Sequence, residues 1–384
     1  MRIGLFTDTY FPRLNGVAIS VRMLKENLEA QGHEVYVYTT TDPDAHDNEQ
    51  RIFRVPSIPF KTQRLGTFVS PALRQMVKKL KPDIIHTHTE YTLGGFGRKL
   101  AQKLNIPYVH TMHTIYEYYT NYIVRSEHLG TPAKYVVRKL TASYCNSADV
   151  VVTPTEKNKD LLVTYGVKKP IKVIPSGIQL EKFCSEKRDF EKINAIKAEL
   201  GIMDDERVLL NIGRVAHEKN LDELLTGLEN YLKQHNDVKL VIVGDGLARE
   251  KLERISDETG ISAQVIFAGA RPWDEISQYY RIGDVFVGAS LSETQGLTYI
   301  EAMASGLPVV AKEDRCLEGV LSNGENGYFF NNSNGLVAAV DKLLSDRGVL
   351  ESFSKNAIET AQAFSAEAYA HKMEEVYQDM LKVN

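Results

Sequence analysis

Cysteine is scarce in this chain: Cys145, Cys184 and Cys316 stand far apart among 384 residues, without metal-ligand spacing. That excludes a disulfide framework and suits a reducing cytoplasm. No apolar run reaches the ~18 residues of a membrane-spanning helix. The opening Met1-Arg2-Ile3-Gly4-Leu5-Phe6 reads as a strand and lacks a signal-peptide layout. There is no low-complexity tract and no short repeat. A soluble globular protein is expected, with nothing that marks it for nucleic acid.

What is present exceeds one ordinary core: 384 residues imply two domains. The net charge of −4 conceals an asymmetry. Residues 1–175 carry 24 Lys/Arg against 15 Asp/Glu, and the rest carry 22 against 35. A basic first half is expected to face something anionic.

Short apolar runs alternate with amphipathic stretches, the pattern of βαβ units and a parallel sheet. Strands are expected near Ile3–Phe6, Val35–Thr39, Asp83–His86, Tyr108–His110, Val150–Thr153 and Lys172–Ile174. A second series runs Val208–Ile212, Lys239–Val243, Val265–Phe267, Val285–Val287 and Pro308–Val310. Helices are expected at Val17–Ala30, Leu221–Gln234, Leu247–Thr259, Asp274–Tyr280 and Leu297–Ser305, with an amphipathic tail at Ala366–Leu381. The fold class is α/β with two doubly wound, Rossmann-like domains, 1–175 and 201–362. A charged linker is expected at 176–200 and a terminal helix at 363–384. Such domains bind ligands at the C-terminal ends of their strands, so two that face each other form a cleft.

Glu293 and Glu301 stand eight residues apart in Ser292-Glu293-Thr294-Gln295-Gly296-Leu297-Thr298-Tyr299-Ile300-Glu301. A helix that begins near Gly296 directs free N–H groups back toward Glu293 and attracts phosphate. Carboxylates accept hydrogen bonds from sugar hydroxyls. A nucleotide sugar fits this layout, whereas two isolated glutamates would read as a solvated helix surface. The pattern resembles the Glu-x7-Glu signature of family-4 retaining glycosyltransferases, which have the GT-B fold. The resemblance extends over essentially the whole chain. It implies that the terminal helix crosses back onto the first domain.

Other motifs follow strands. Asn15-Gly16 opens a helix after the first strand, and the resemblance brings this loop to the donor diphosphate. Many family members have two glycines there, so close approach rests on Gly16. Gly213-Arg214-Val215-Ala216-His217-Glu218-Lys219-Asn220 matches the family's Gly-Arg-x5-Asn. A guanidinium fork and an ammonium suit a departing diphosphate. Gly244-Asp245-Gly246 reads as a tight turn near the nucleotide. The resemblance implies donor-binding roles for Gly16, Arg214, Lys219, Gly244, Glu293, Thr294, Gln295, Gly296, Leu297 and Glu301. His113, in Thr111-Met112-His113, matches the histidine that contacts the transferred sugar. His113, Arg214, Lys219 and Glu293 form the expected catalytic set. His86, His88 and Glu90 are expected on the acceptor side, with a core histidine as the other reading of His86. His-x-His with Glu can bind zinc, but the resemblance implies no metal and no cofactor, because Arg and Lys replace the ion.

Lys61 to Pro82 holds six basic residues and no acidic one. Leu73, Met76, Val77 and Leu80 keep helical spacing within it. Such a helix can lie on an anionic membrane or pack its stripe on a sheet. Tyr116, Tyr118, Tyr119 and Tyr122 suit an interface or a sugar site, with Tyr116 and Tyr118 placed on the acceptor side. The chain looks like bacterial 1,2-diacylglycerol 3-glucosyltransferases. The resemblance implies a hexosyltransferase with UDP-glucose as donor, a diacylglycerol acceptor, and peripheral attachment to the inner face of the cell membrane. Alternatives are another lipid or soluble acceptor, a GDP-mannose donor, a nucleotide-sugar epimerase, or an inactive membrane-surface protein. The oligomeric state stays open.

Overall fold

The computed structural model describes residues 1–13, 15–45, 50–60, 63–119, 127–184 and 189–383. Lys61 of the basic stretch, and Tyr122 and Arg125 of the tyrosine-rich one, lie outside the described residues. The chain divides into two compact units: Met1–Gly177 with Ala366–Asn384, and Ile178–Ser365.

The first unit holds β1 (Arg2–Phe6), α1 (Gly16–Ala30), β2 (Glu34–Thr40), β3 (Ile52–Val55), β4 (Ser57–Phe60), β5 (Gln63–Gly66), α2 (Pro71–Leu80), β6 (Ile84–Thr87) and α3 (Thr92–Leu104). It continues with β7 (Tyr108–Thr111), α4 (Glu127–Cys145), β8 (Val150–Thr153), α5 (Glu156–Tyr165) and β9 (Ile171–Val173). Seven parallel strands run in the order β3-β2-β1-β6-β7-β8-β9, and β4 and β5 form a separate hairpin. The order turns at β1 and β6, so the loops after those two strands flank the crevice of this sheet. Ile3 and Leu5 pack on one face and Phe6 on the other, as strand alternation requires.

Asn15 caps α1, its Oδ1 accepting from Ala18 N at 3.0 Å. Val21, Leu24 and Leu28 form the buried stripe. Ser70 caps α2, with Pro71 in the first turn. Val77 is buried, and Leu73 and Met76 pack on the same core. Arg74, Lys78 and Lys79 point to solvent. The apolar stripe of α2 therefore packs inward, and only its basic face remains outside.

The second unit opens with α6 (Leu180–Phe183) and α7 (Phe190–Glu199), followed by β10 (Arg207–Ile212), α8 (Leu221–Gln234), β11 (Val238–Val243), α9 (Arg249–Glu258) and β12 (Val265–Gly269). Then come α10 (Ile276–Tyr280), β13 (Val285–Gly288), α11 (Leu297–Ala304), β14 (Val309–Lys312), β15 (Gly327–Phe330), α12 (Ser333–Leu344) and α13 (Arg347–Gln362). Its six strands are parallel, in the order β12-β11-β10-β13-β14-β15, with the turn in order at β10 and β13. α14 (Ala366–Val383) returns to the first unit. There Tyr369, Met373 and Tyr377 join the core formed by Val21, Leu24 and Leu28.

Two expectations change. Residues 176–200 are not a linker among the described positions: Ile178, Leu180, Phe183 and Ile193 enter the core of the second unit. Charged residues on the solvent side masked an amphipathic helix. Strands β3 and β15 were not read from the sequence. Each is a four-residue edge strand held by one neighbour, β2 or β14, and that pairing stabilises it more than any local propensity.

Phe183 is 1% exposed and meets Tyr280 and Trp273 edge to face. Phe183→Ala is expected to cost about 3–5 kcal/mol of stability, read by urea denaturation. A linker residue would show almost no change.

Candidate active site

The loops after β10 and β13 flank the turn in strand order, and side chains fasten them together. Ser290 Oγ and Ser292 Oγ both donate to the carbonyl of Glu218, at 3.2 and 3.3 Å. Lys219 Nζ lies 2.5 Å from Glu293 Oε1. Asn220, in the left-handed region at φ 54°, ends the short 3-10 turn that carries Lys219 and donates to Glu223. Lys312 Nζ in turn donates to Glu223 Oε1 at 2.6 Å. Arg214 is different: its guanidinium is mostly exposed and lies 2.9 Å from Glu218 Oε1. Lys219 is thus held in place, whereas Arg214 keeps most of its fork toward solvent. A recess beside them is lined by Asn211, Gly213, Lys219, Gly288, Glu293 and Thr298.

Gly244 sits where the β11 loop crosses the β10 loop. A Cβ there would lie 1.8 Å from the Gly213 carbonyl oxygen. Close packing of two backbones therefore accounts for this glycine. Gly296 stands immediately before α11 at φ 76°, and a Cβ would meet the Tyr299 ring at 2.8 Å. No side chain caps α11, so its first N–H groups can receive an anion. Gln295 is buried and Thr294 half-buried in the same loop, and Leu297 begins the helix.

Glu293 and Glu301 have unlike environments. Glu293 is paired with Lys219. Glu301 is 6% exposed and accepts from Tyr280 Oη at 2.7 Å. Burial raises its carboxyl pKa to about 7, while Tyr280 and Lys182 oppose the shift. Lys182 sits 3.9 Å above the Trp273 ring and donates to the Trp273 carbonyl at 2.5 Å. Sequence reading missed Lys182, Tyr280, Ser290 and Ser292. Lys182 lay in the supposed linker, and no local signal marks a contact between segments 91 residues apart.

In the first unit, Asp8 fills the N-terminal end of α3. Its Oδ1 accepts from Leu93 N at 2.9 Å and its Oδ2 from Thr89 Oγ1 at 2.6 Å. Gly16 is exposed at the first position of α1, but Asn15 already occupies the Ala18 N–H. The anion site expected there is smaller than an uncapped helix end.

The histidines separate by role. His86 is fully buried, with Nδ1 2.7 Å from Tyr377 Oη and Nε2 2.7 Å from Thr111 Oγ1. Both nitrogens are engaged in the core, so His86 does not line an acceptor surface. His88 is 2% exposed and places Nδ1 3.0 Å from His113 Nε2. It too addresses a neighbour and not a ligand surface. His113 is half-buried. Glu90 accepts from Tyr116 Oη at 2.5 Å and lies 3.2 Å from His110 Nε2. Tyr118 belongs to a short 3-10 turn, and its side chain is outside the described residues. Among the described residues no three His, Cys, Asp or Glu side chains gather as a metal site.

Comparison with known proteins bears on this geometry. The family model described as Glycosyltransferase Family 4 matches residues 14–182, and the one described as Glycosyl transferases group 1 matches 192–360. An alpha-monoglucosyldiacylglycerol synthase of Streptococcus pneumoniae is 38% identical over 388 residues, covering 100% of this chain and 87% of that protein. One from Acholeplasma laidlawii is 36% identical over 392 residues, covering 100% and 98%. Among solved structures, sucrose-phosphate synthase from Thermosynechococcus elongatus superposes with a TM-score of 0.76 at 24% identity, covering 100% of both chains. Anabaena HepE in complex with UDP gives 0.77 at 19%, covering 99% and 100%. These two structures support the fold.

The Glu301 environment has a pH signature. Its folded pKa of about 7 lies above the ordinary 4.5, so the folded protein keeps a proton that the unfolded chain has released. The stability this confers is complete below the unfolded value and is lost as pH rises toward 7. Glu301→Gln is expected to flatten that part of the stability profile of the ligand-free protein. Urea midpoints measured across this range check it.

Proposed function

The chain belongs to glycosyltransferase family 4, and from that premise we propose that it moves glucose from UDP-glucose to the hydroxyl of 1,2-diacylglycerol, yielding alpha-monoglucosyl-diacylglycerol. The observation that carries the reading is full-length likeness to two alpha-monoglucosyldiacylglycerol synthases. The donor-side geometry agrees with it: a fastened ammonium, an exposed guanidinium and an uncapped helix end occupy one unit.

The roles follow from the chemistry. The bond from glucose C1 to the diphosphate oxygen breaks, and its electron pair stays on the phosphate. Arg214 and Lys219 stabilise that charge, with the first N–H groups of α11. Glu293 accepts from hydroxyls of the donor sugar and Glu301 from the ribose. Thr294, Gln295, Gly296 and Leu297 shape the phosphate turn between them. Gly16 serves the diphosphate and His113 the transferred sugar, both by family pattern. No side chain is assigned as a nucleophile. The acceptor oxygen attacks C1 on the face the phosphate leaves, through an oxocarbenium-like transition state, and its proton passes to the departing phosphate. This retains the α configuration. The two cations replace a metal ion.

A lipid acceptor places the work at a membrane surface. No helix among the described residues is long and apolar enough to cross a bilayer. Arg74, Lys78 and Lys79 on α2 point outward. On α4, Tyr135, Val136 and Leu140 are more than half exposed, and Lys139 Nζ stands 5.5 Å from the Tyr135 ring centroid. Basic and apolar groups together suit an anionic lipid surface. We place the protein on the inner face of the cell membrane.

Purified protein, labelled UDP-glucose and liposomes of diacylglycerol with an anionic lipid are expected to give a labelled α-glucolipid in the organic phase. Label that stays in the aqueous phase, with UDP released, would move the acceptor to a soluble molecule. Arg214→Ala and Lys219→Ala are each expected to lower kcat about a hundredfold or more; near wild-type rates would remove them from the site. Lys78→Glu with Lys79→Glu is expected to weaken liposome flotation while leaving thermal stability close to wild type.

A further inference from the structure

The histidine assigned to the sugar, His113, is half-buried and joins a chain of rings whose other members, His86 and His88, are buried. His88 follows β6 and His113 follows β7, with Nδ1 of the first 3.0 Å from Nε2 of the second. His86 lies against His88 with ring centroids 3.9 Å apart and planes tilted by 40°. Tyr377 of α14 and Thr111 of β7 hold His86 at both nitrogens. His88 therefore has little freedom to turn.

Burial pushes the His88 pKa well below its ordinary value and the His113 pKa down to about 3, with nearby imidazoles adding to both shifts. Both rings are neutral at neutral pH. A neutral imidazole has one N–H and one bare nitrogen. One proton thus lies between Nδ1 of His88 and Nε2 of His113, and its owner decides the state of both rings. If His113 owned it, His88 would carry its own proton on Nε2. That nitrogen is buried and has no hydrogen-bond partner among the described residues. A buried N–H without an acceptor is the rarer orphan. If His88 owns the proton, only a bare lone pair is left unpaired, and His113 carries its proton on Nδ1.

We infer that His88 is a positioning residue that locks His113 in the Nδ1–H tautomer, so that His113 offers the transferred sugar a hydrogen-bond donor and not an acceptor. The inference rests on the assignment of His113 to that sugar. The bond at the far nitrogen of a histidine sets which nitrogen is free to act. Here that bond comes from another neutral histidine, so no charge is introduced beside the sugar. A donor fixed in advance needs no reorganisation during transfer.

Two-bond 1H–15N spectra of protein labelled with 15N-histidine read the tautomer directly, with His113 assigned by its absence in His113→Gln. Nδ1–H on wild-type His113 is expected, and Nε2–H would overturn the inference whatever the activity. In His88→Phe, His113 loses its partner and is expected to show mixed tautomers. The kcat of that variant should fall about tenfold, while KM for UDP-glucose changes less than about twofold. His88→Asn places an amide near the former Nδ1 and is expected to restore the Nδ1–H signal and most of kcat. A folded His88→Phe protein with wild-type kcat would overturn the positioning role. Failure of the functional reading would look different: no glucolipid from the wild-type protein, with the His113 tautomer as inferred.

Discussion

The contact between the Lys219 ammonium and the Glu293 carboxylate is the constraint on which the loops of the second unit depend. It joins loops that follow β10 and β13, 74 residues apart in sequence. Parallel strands hold the two loops side by side because the strand order turns between them. Ser290, Ser292 and Asn220 add hydrogen bonds along the same seam. Lys219 is 22% and Glu293 15% exposed, so the pair is screened less than a surface ion pair. A cation held in this way needs no further ordering to meet an anion.

That seam also explains the glycines. The Gly213 carbonyl approaches Gly244 so closely that no side chain fits at Gly244. Gly296 turns the chain at a left-handed φ so that α11 begins beside Glu293. The same helix carries Glu301 inward to Tyr280. Its eight-residue spacing from Glu293 therefore separates two chemical environments: one carboxylate compensated by a cation, the other buried against a phenol. A single helix end provides both, and the uncapped N–H groups lie between them.

The first unit uses burial in a different way. Its histidines are linked to one another, to threonines of the sheet and to Tyr377 of the terminal helix. The return of α14 thus does more than cover apolar surface. It supplies the hydroxyl that holds His86, against which His88 rests. A chain end distant in sequence thus helps to set the orientation of these rings.

The alternation of sheet and helix was legible because strands buried on both faces are continuous apolar runs, as at Leu240–Val243. Capped, striped helices such as Gly16–Ala30 were legible for the same local reason. The spacing of Glu293 and Glu301, and the order Arg214, Lys219, Asn220, carried the family resemblance without coordinates. Of the four edge strands of the two large sheets, β9 and β12 were legible as short apolar runs, whereas β3 and β15 were not. Nor was the inward packing of Ile178, Leu180, Phe183 and Ile193, or whether the apolar stripe of α2 meets the core or a membrane. The sequence by itself determined the repeating α/β pattern and which residue types stand in the loops after β10 and β13. Only the tertiary structure decided that Lys219 meets Glu293, that Glu301 is buried against Tyr280, and that His86 belongs to the core while His88 addresses His113. Each of those outcomes depends on contacts between segments distant along the chain, and local sequence holds no record of such distances.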